Sequence, residues 1–154
     1  MDPQILDLFK NVYFWSACLG WTVAQCTKML ISFCSTRKLD FSYLASTGGM
    51  PSAHSALVCG LATSVGIKQG FGSPVFIVAL TLALITMFDA STVRRAAGLQ
   101  ARLLNQMVAE LFKEHEISKS KLKELLGHTR LEVGMGLIIG VLVGIFVVSI
   151  SVTI

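Results

Sequence analysis

Charge is what this sequence has least of. Only 14% of its 154 residues are Asp, Glu, Lys or Arg, where an ordinary soluble domain carries about 25%. Residues 69–88 and 134–154 hold no charge at all, and between Asn11 and Thr36 the only charged side chain is Lys28. An apolar stretch of about 20 residues spans a bilayer as a helix, so these gaps exclude an ordinary soluble protein. A metal-binding cysteine cluster is missing too. Cys18, Cys26, Cys34 and Cys59 lie in or beside apolar segments without CxxC spacing, which suits small buried hydrophobes better than zinc ligands or disulfides. The first apolar stretch lacks a basic leader and a small-residue cleavage pattern, and it is expected to be retained. No repeat or low-complexity tract occurs.

What is present reads as an all-α polytopic membrane bundle forming a single domain over 1–154, with about four transmembrane helices. The spans are expected near 12–33, 52–67, 75–88 and from 131 onward. The second is short and rich in Ala, Gly, Ser and Thr, a composition for packing against other helices rather than lipid. Gly134, Gly136, Gly140 and Gly144 give the last span a small-residue face. Residues 91–126 differ: apolar side chains recur at helical spacing with Arg94, Arg95, Arg102 and Glu110 between them, as in an amphipathic interfacial helix. The charged stretch 113–123, with His115, reads as a solvated turn.

Four spans put the 1–2 loop, the 3–4 loop and their flanks on one side. That side carries ten of the 13 Lys and Arg residues, from Arg37 and Lys38 to Arg130. The positive-inside rule then places both loops in the cytoplasm and both termini outside.

The same side collects the residues that apolar packing does not explain. Thr47-Gly48-Gly49-Met50-Pro51-Ser52-Ala53-His54 leads into the second span. Glycines let backbone amides approach a ligand, Ser52 can donate a hydroxyl, and a helix N-terminus favours an anion; a glycine turn with an N-capping serine is the plainer reading. His54 favours the first, because an ionisable group on a span is costly without a role. Asp89, Arg94 and Arg95 follow the third span, as interfacial snorkelling groups or as phosphate clamps with Asp89 holding one arginine. Lys28 should point to the same end. His128 and Glu132 stand at i and i+4, which on a helix lets the carboxylate accept from one imidazole nitrogen and makes the other a better nucleophile or base.

Three stretches together resemble a known family: Ser46–Ala56 (STGGMPSAHSA), Met87–Ala101 (MFDASTVRRAAGLQA) with Asn105, and Leu122–Val133 (LKELLGHTRLEV). They are similar to the divergent subfamily of type 2 phosphatidic acid phosphatases, relatives of acid phosphatases and vanadium-dependent haloperoxidases. Pro51-Ser52-Ala53-His54 looks like the superfamily's Pro-Ser-Gly-His, with alanine for glycine. His128-Thr129-Arg130-Leu131-Glu132 looks like its final histidine motif, with glutamate for aspartate. The resemblance implies that His128 attacks phosphorus, Glu132 orients it and His54 protonates the leaving alkoxide. Lys28, Ser52 and an arginine would neutralise the phosphate oxygens. The chain departs from the pattern in two places. Lys28 and Arg37 stand nine apart rather than seven, with no proline after Arg37. Arg94 and Arg95 precede His128 by more than thirty residues rather than six. The completing arginine is therefore Arg37, Arg94 or Arg95.

The expected function is a membrane lipid-phosphate phosphatase using a phosphohistidine at the cytoplasmic face of a bacterial cell membrane. It would act on a monoester or diphosphate with no cofactor and no nucleic-acid partner. Two alternatives remain. One is a non-catalytic lipid- or anion-binding or transport protein, for which four short spans call for a homo-oligomer. The other is a metal-dependent phosphatase built on His54, Asp89, His128 and Glu132.

Overall fold

A computed structural model describes residues 3–37, 49–111 and 127–153, and among them there is helix and no strand. The elements are α1 (Pro3–Phe9), α2 (Val12–Thr36), α3 (Ala53–Gln69), α4 (Pro74–Ser91), α5 (Val93–Leu111) and α6 (Arg130–Thr153). Helices cover each stretch where a span was expected: α2, α3, α4 and α6. Two stretches, Pro74–Val108 and Arg130–Ser151, are long and apolar enough to cross a membrane. At 17 residues α3 reaches about 25 Å, less than the roughly 30 Å of a hydrocarbon core. It is the central helix, packed by α2, α4 and α6. The charged 113–123 stretch with His115, and residues 38–48 of the first loop, lie outside the described residues.

Small side chains explain that central position. Ser16, Gly20 and Ala24 recur every fourth residue on α2 and form one buried stripe. A Cβ on Gly20 would lie 2.7 Å from the Ala56 carbonyl oxygen, and one on Gly60 would lie 2.6 Å from that of Ser16. Ascending α2 thus meets descending α3, so the two run antiparallel. On the other flank Gly136, Gly140 and Gly144 approach Ser52, Ala56 and Gly60 in rising order, which makes α3 and α6 parallel. Backbones this close gain dispersion along their whole length, the driving force left to helices in lipid. Gly134, expected on this face, is not part of it: a Cβ there would meet nothing within 4 Å. It is two residues from Gly136, on the other side of the helix.

On α4, Phe76 reaches Gly66 while Met87 meets Cys59, so α4 also runs antiparallel to α3. The end of α2, the start of α3, the end of α4 and the start of α6 therefore share one end of the bundle. The other end is aromatic. Phe71 and Phe76 stack edge to face at 5.1 Å, as do Phe9 and Phe14 at 5.9 Å, and Gln69 donates to the Tyr13 hydroxyl at 2.6 Å. Of these, Tyr13 is of a residue type enriched at membrane–water boundaries.

Candidate active site

The polar end is assembled by four helix termini. Lys28 lies one further step of four along the Ser16–Gly20–Ala24 stripe, so the register that packs α2 also carries its ammonium into the bundle end. It is only 3% exposed. Gly49, at φ +86, lies against it: a Cβ there would stand 3.7 Å from Lys28 Cδ. Ser52 caps α3 and is fully buried, its Oγ accepting from the Ser55 N–H at 3.4 Å and the Ser55 hydroxyl at 3.0 Å. Both bonds use its lone pairs, so its own proton can still be donated. His54 follows on the first turn of α3, half-buried, close enough to Arg94, His128, Lys28 and Asp89 to interact with them electrostatically.

His128 is 2% exposed, and its Nδ1 lies 3.0 Å from Glu132 Oε2. A carboxylate accepts only, so the proton belongs on Nδ1 and the lone pair on Nε2. Among the described residues, buried Nε2 has no hydrogen-bond partner. A buried, unpaired acceptor is uncommon and costs about 1–3 kcal/mol.

The route to this pair differs from the expected helix face. His128 precedes α6, which begins at Arg130. Thr129 occupies the N-cap position: its Oγ accepts from the Glu132 N–H at 3.3 Å, and its own N–H donates to Glu132 Oε2 at 3.1 Å. This is a capping box. Its Thr-x-x-Glu signature is legible in the sequence, but the i,i+4 reading passed over it. Glu132 Oε2 thus binds both the cap and the imidazole, which restricts its rotamer.

Backbone contacts bring in the distant arginines. The His128 N–H donates to the Ala90 carbonyl at 2.9 Å, tying α6's approach to the end of α4. Gly127, at φ +93, lies so near α5 that a Cβ would fall 2.3 Å from the Arg95 nitrogen. The Ser52 N–H donates to the Glu132 carbonyl at 2.9 Å, which joins the two histidine motifs. Arg94 Nε donates to Asp89 Oδ2 at 2.8 Å, with both side chains partly exposed. Arg95 is exposed beside it. Arg37 sits elsewhere, exposed at the α2 C-cap with φ 57, nine residues and about 13 Å along the axis beyond Lys28. Sequence reasoning missed Gly127, Thr129 and the Ala90 carbonyl.

Among the described residues, no three His, Cys, Asp or Glu side chains converge as a metal-ligand set. What converges is one buried imidazole held by a carboxylate, a second imidazole, a buried lysine and an arginine, arranged around a helix N-terminus. Such a set is suited to a phosphate group.

An all-α membrane bundle with a histidine–carboxylate pair among cations at one end is the class this structure defines. Residues 9–143 match the divergent PAP2 family, and the chain belongs to that family. A Bacillus subtilis (strain 168) relative, bearing the name uncharacterized membrane protein YuiD, is 42% identical over 149 residues, covering 89% of this chain and 94% of its own. No solved structure matches the chain.

Proposed function

We propose that this protein is a lipid-phosphate phosphatase working through a phosphohistidine at the cytoplasmic face of the cell membrane, its substrate's tail remaining in the bilayer. The observation that carries this reading is the buried His128 imidazole, tied at Nδ1 to Glu132 and unpaired at Nε2 among the described residues. Membership of a PAP2-related family supports it. In the first step the Nε2 lone pair attacks phosphorus and the P–O bond to the lipid breaks. His54 gives its proton to the departing alkoxide. Water, deprotonated by His54, then attacks the phosphohistidine and releases inorganic phosphate with His128 restored. Lys28, Ser52 and Arg94 spread the charge on the equatorial oxygens, and Glu132 stabilises the imidazolium. Arg94 is the favoured arginine, since it interacts with His54 and is held by Asp89. The cytoplasmic placement rests on the basic loops.

The test is phosphate release by purified protein from lipid monophosphates and diphosphates in detergent, with and without chelator. Wild type should release phosphate in EDTA, and His128→Ala should release none. Rapid acid-free quenching with labelled substrate should trap a phosphohistidine on wild type. Activity that survives His128→Ala would refute the nucleophile assignment. Activity lost in EDTA and restored by magnesium would favour a metal-dependent enzyme. Stoichiometric phosphate binding without turnover of any lipid would favour a binding or transport protein.

A further inference from the structure

The packing of α5 does not account for its sequence. Among the described elements it packs only on α4, although its 19 residues extend about 28 Å. Its buried positions are small, Gly98 and Ala101. Its large apolar side chains stay uncovered: Val93 is 59% exposed, Leu99 60%, Leu103 58%, Leu104 49%, Met107 49% and Val108 52%. At about 100° per residue five of these six share one side of the helix, with Arg95, Arg102 and Gln106 opposite and Leu99 at the edge of that polar side. No acidic residue occurs between Asp89 and Glu110, and three arginines, Arg94, Arg95 and Arg102, lie between them.

The helix before it restricts where α5 can go. The 18 residues of α4 already reach about 27 Å, close to the thickness of a hydrocarbon core. They end at the partly exposed Asp89–Arg94 ion pair, which belongs in a polar layer. Thr92 breaks the helix there, its N–H and hydroxyl both donating to the Phe88 carbonyl. From that point, continuing outward would put the apolar stripe in water. Folding back inward would put Arg102 in hydrocarbon. Lying along the boundary suits the apolar stripe and the arginines alike, and Arg95 and Arg102 complement anionic headgroups.

We propose that α5 lies flat on an anionic leaflet, its apolar stripe in the acyl region and Arg95 and Arg102 among lipid phosphates. The first turn of α5 is also the wall of the site, in backbone contact with Gly127 beside His128. The arm therefore holds the site opening at the level of the lipid phosphates.

Site-directed spin labelling of the full chain in vesicles tests this. The four cysteines are replaced, and a nitroxide is placed in turn at Val93, Leu104, Met107, Arg102 and Gln106. In vesicles of phosphatidylcholine with one-third phosphatidylglycerol, labels at 93, 104 and 107 should be oxygen-accessible at a common shallow depth. Labels at 102 and 106 should instead meet a water-soluble nickel chelate, with at least a threefold contrast between the two sets. A label at Leu82, midway along α4, should be deeper than all of them and reports that the bundle is intact. Depth that changes steadily from 93 to 107 would overturn the proposal in favour of a crossing helix. Labels at 93, 104 and 107 shielded from both reagents and broadened by one another would mean that a second copy covers the stripe. An unchanged pattern in pure phosphatidylcholine would overturn the anionic requirement. No readout involves turnover, so the placement of α5 is decided separately from the phosphatase reading.

Discussion

Replacing Gly127 by alanine tests how the two halves of the site are joined. Two effects act together. The φ of +93 is a region that L side chains enter at a cost of about 1–3 kcal/mol. The added Cβ would also lie 2.3 Å from the Arg95 nitrogen and 2.5 Å from its Cα, both backbone atoms that cannot rotate away. Restoring an ordinary contact near 3.4 Å requires about 1 Å of separation between the His128 approach and the first turn of α5. The seams of α3 with α2 and α6 do not involve Gly127, so the bundle should survive. A displacement of this size at a reacting centre can lower a rate about a hundredfold.

Gly127→Ala should therefore fold, melt a few degrees below wild type, and hydrolyse a lipid phosphate about a hundredfold more slowly. The assay is kcat and KM in mixed micelles, with circular dichroism melting on the same preparation. Gly134→Ala serves as the reference, because a Cβ there meets nothing within 4 Å; it should match wild type. If folded Gly127→Ala turned over at the wild-type rate, the arginine turn and His128 would not need to meet, and the joint would be incidental.

Glu132→Gln should lower kcat by about a hundred- to ten-thousandfold with KM little changed, since the amide can still accept from Nδ1 but cannot balance an imidazolium. Steady-state kinetics check this. Gly140→Ala should destabilise the bundle by about 1–3 kcal/mol, because its Cβ would sit 2.5 Å from the Ala56 carbonyl oxygen; a lowered melting temperature in detergent would show it. Asp89→Asn should leave the melting temperature within error, as a partly exposed pair contributes about 0–1 kcal/mol. It should raise KM severalfold by releasing Arg94, read from substrate titration.

Much of this architecture is written in local pattern. The charge gaps mark the helices, and the small-residue composition of 52–67 already makes it the helix that others surround. The four-residue spacing of Gly136, Gly140 and Gly144 carries the α3–α6 seam. The same spacing excludes Gly134, which composition alone had grouped with them. Lys28 was legible in the same way, as the next step after Ser16, Gly20 and Ala24, although its isolation in an apolar run was the more visible signal. The pairing of His128 with Glu132 followed from an interval of four even though the geometry behind it was a cap rather than a helix face. Both arrangements bring i and i+4 together, so the interval alone could not separate them.

The junction between Arg95 and His128 was a different kind of problem. Thirty-three positions separate them, and no periodicity links one to the other. What joins them is a glycine without a Cβ and a backbone bond from His128 to the Ala90 carbonyl. Neither contact uses a side chain whose chemistry could mark it in the sequence, since glycine at a loop end is commonplace and a carbonyl belongs to every residue. Two segments more than thirty residues apart can thus be brought together by backbone contacts alone. The arginine candidates separate on this basis: Arg94 and Arg95 lie on the turn fastened to His128, whereas Arg37, nearer to Lys28 in sequence, sits exposed at the end of α2.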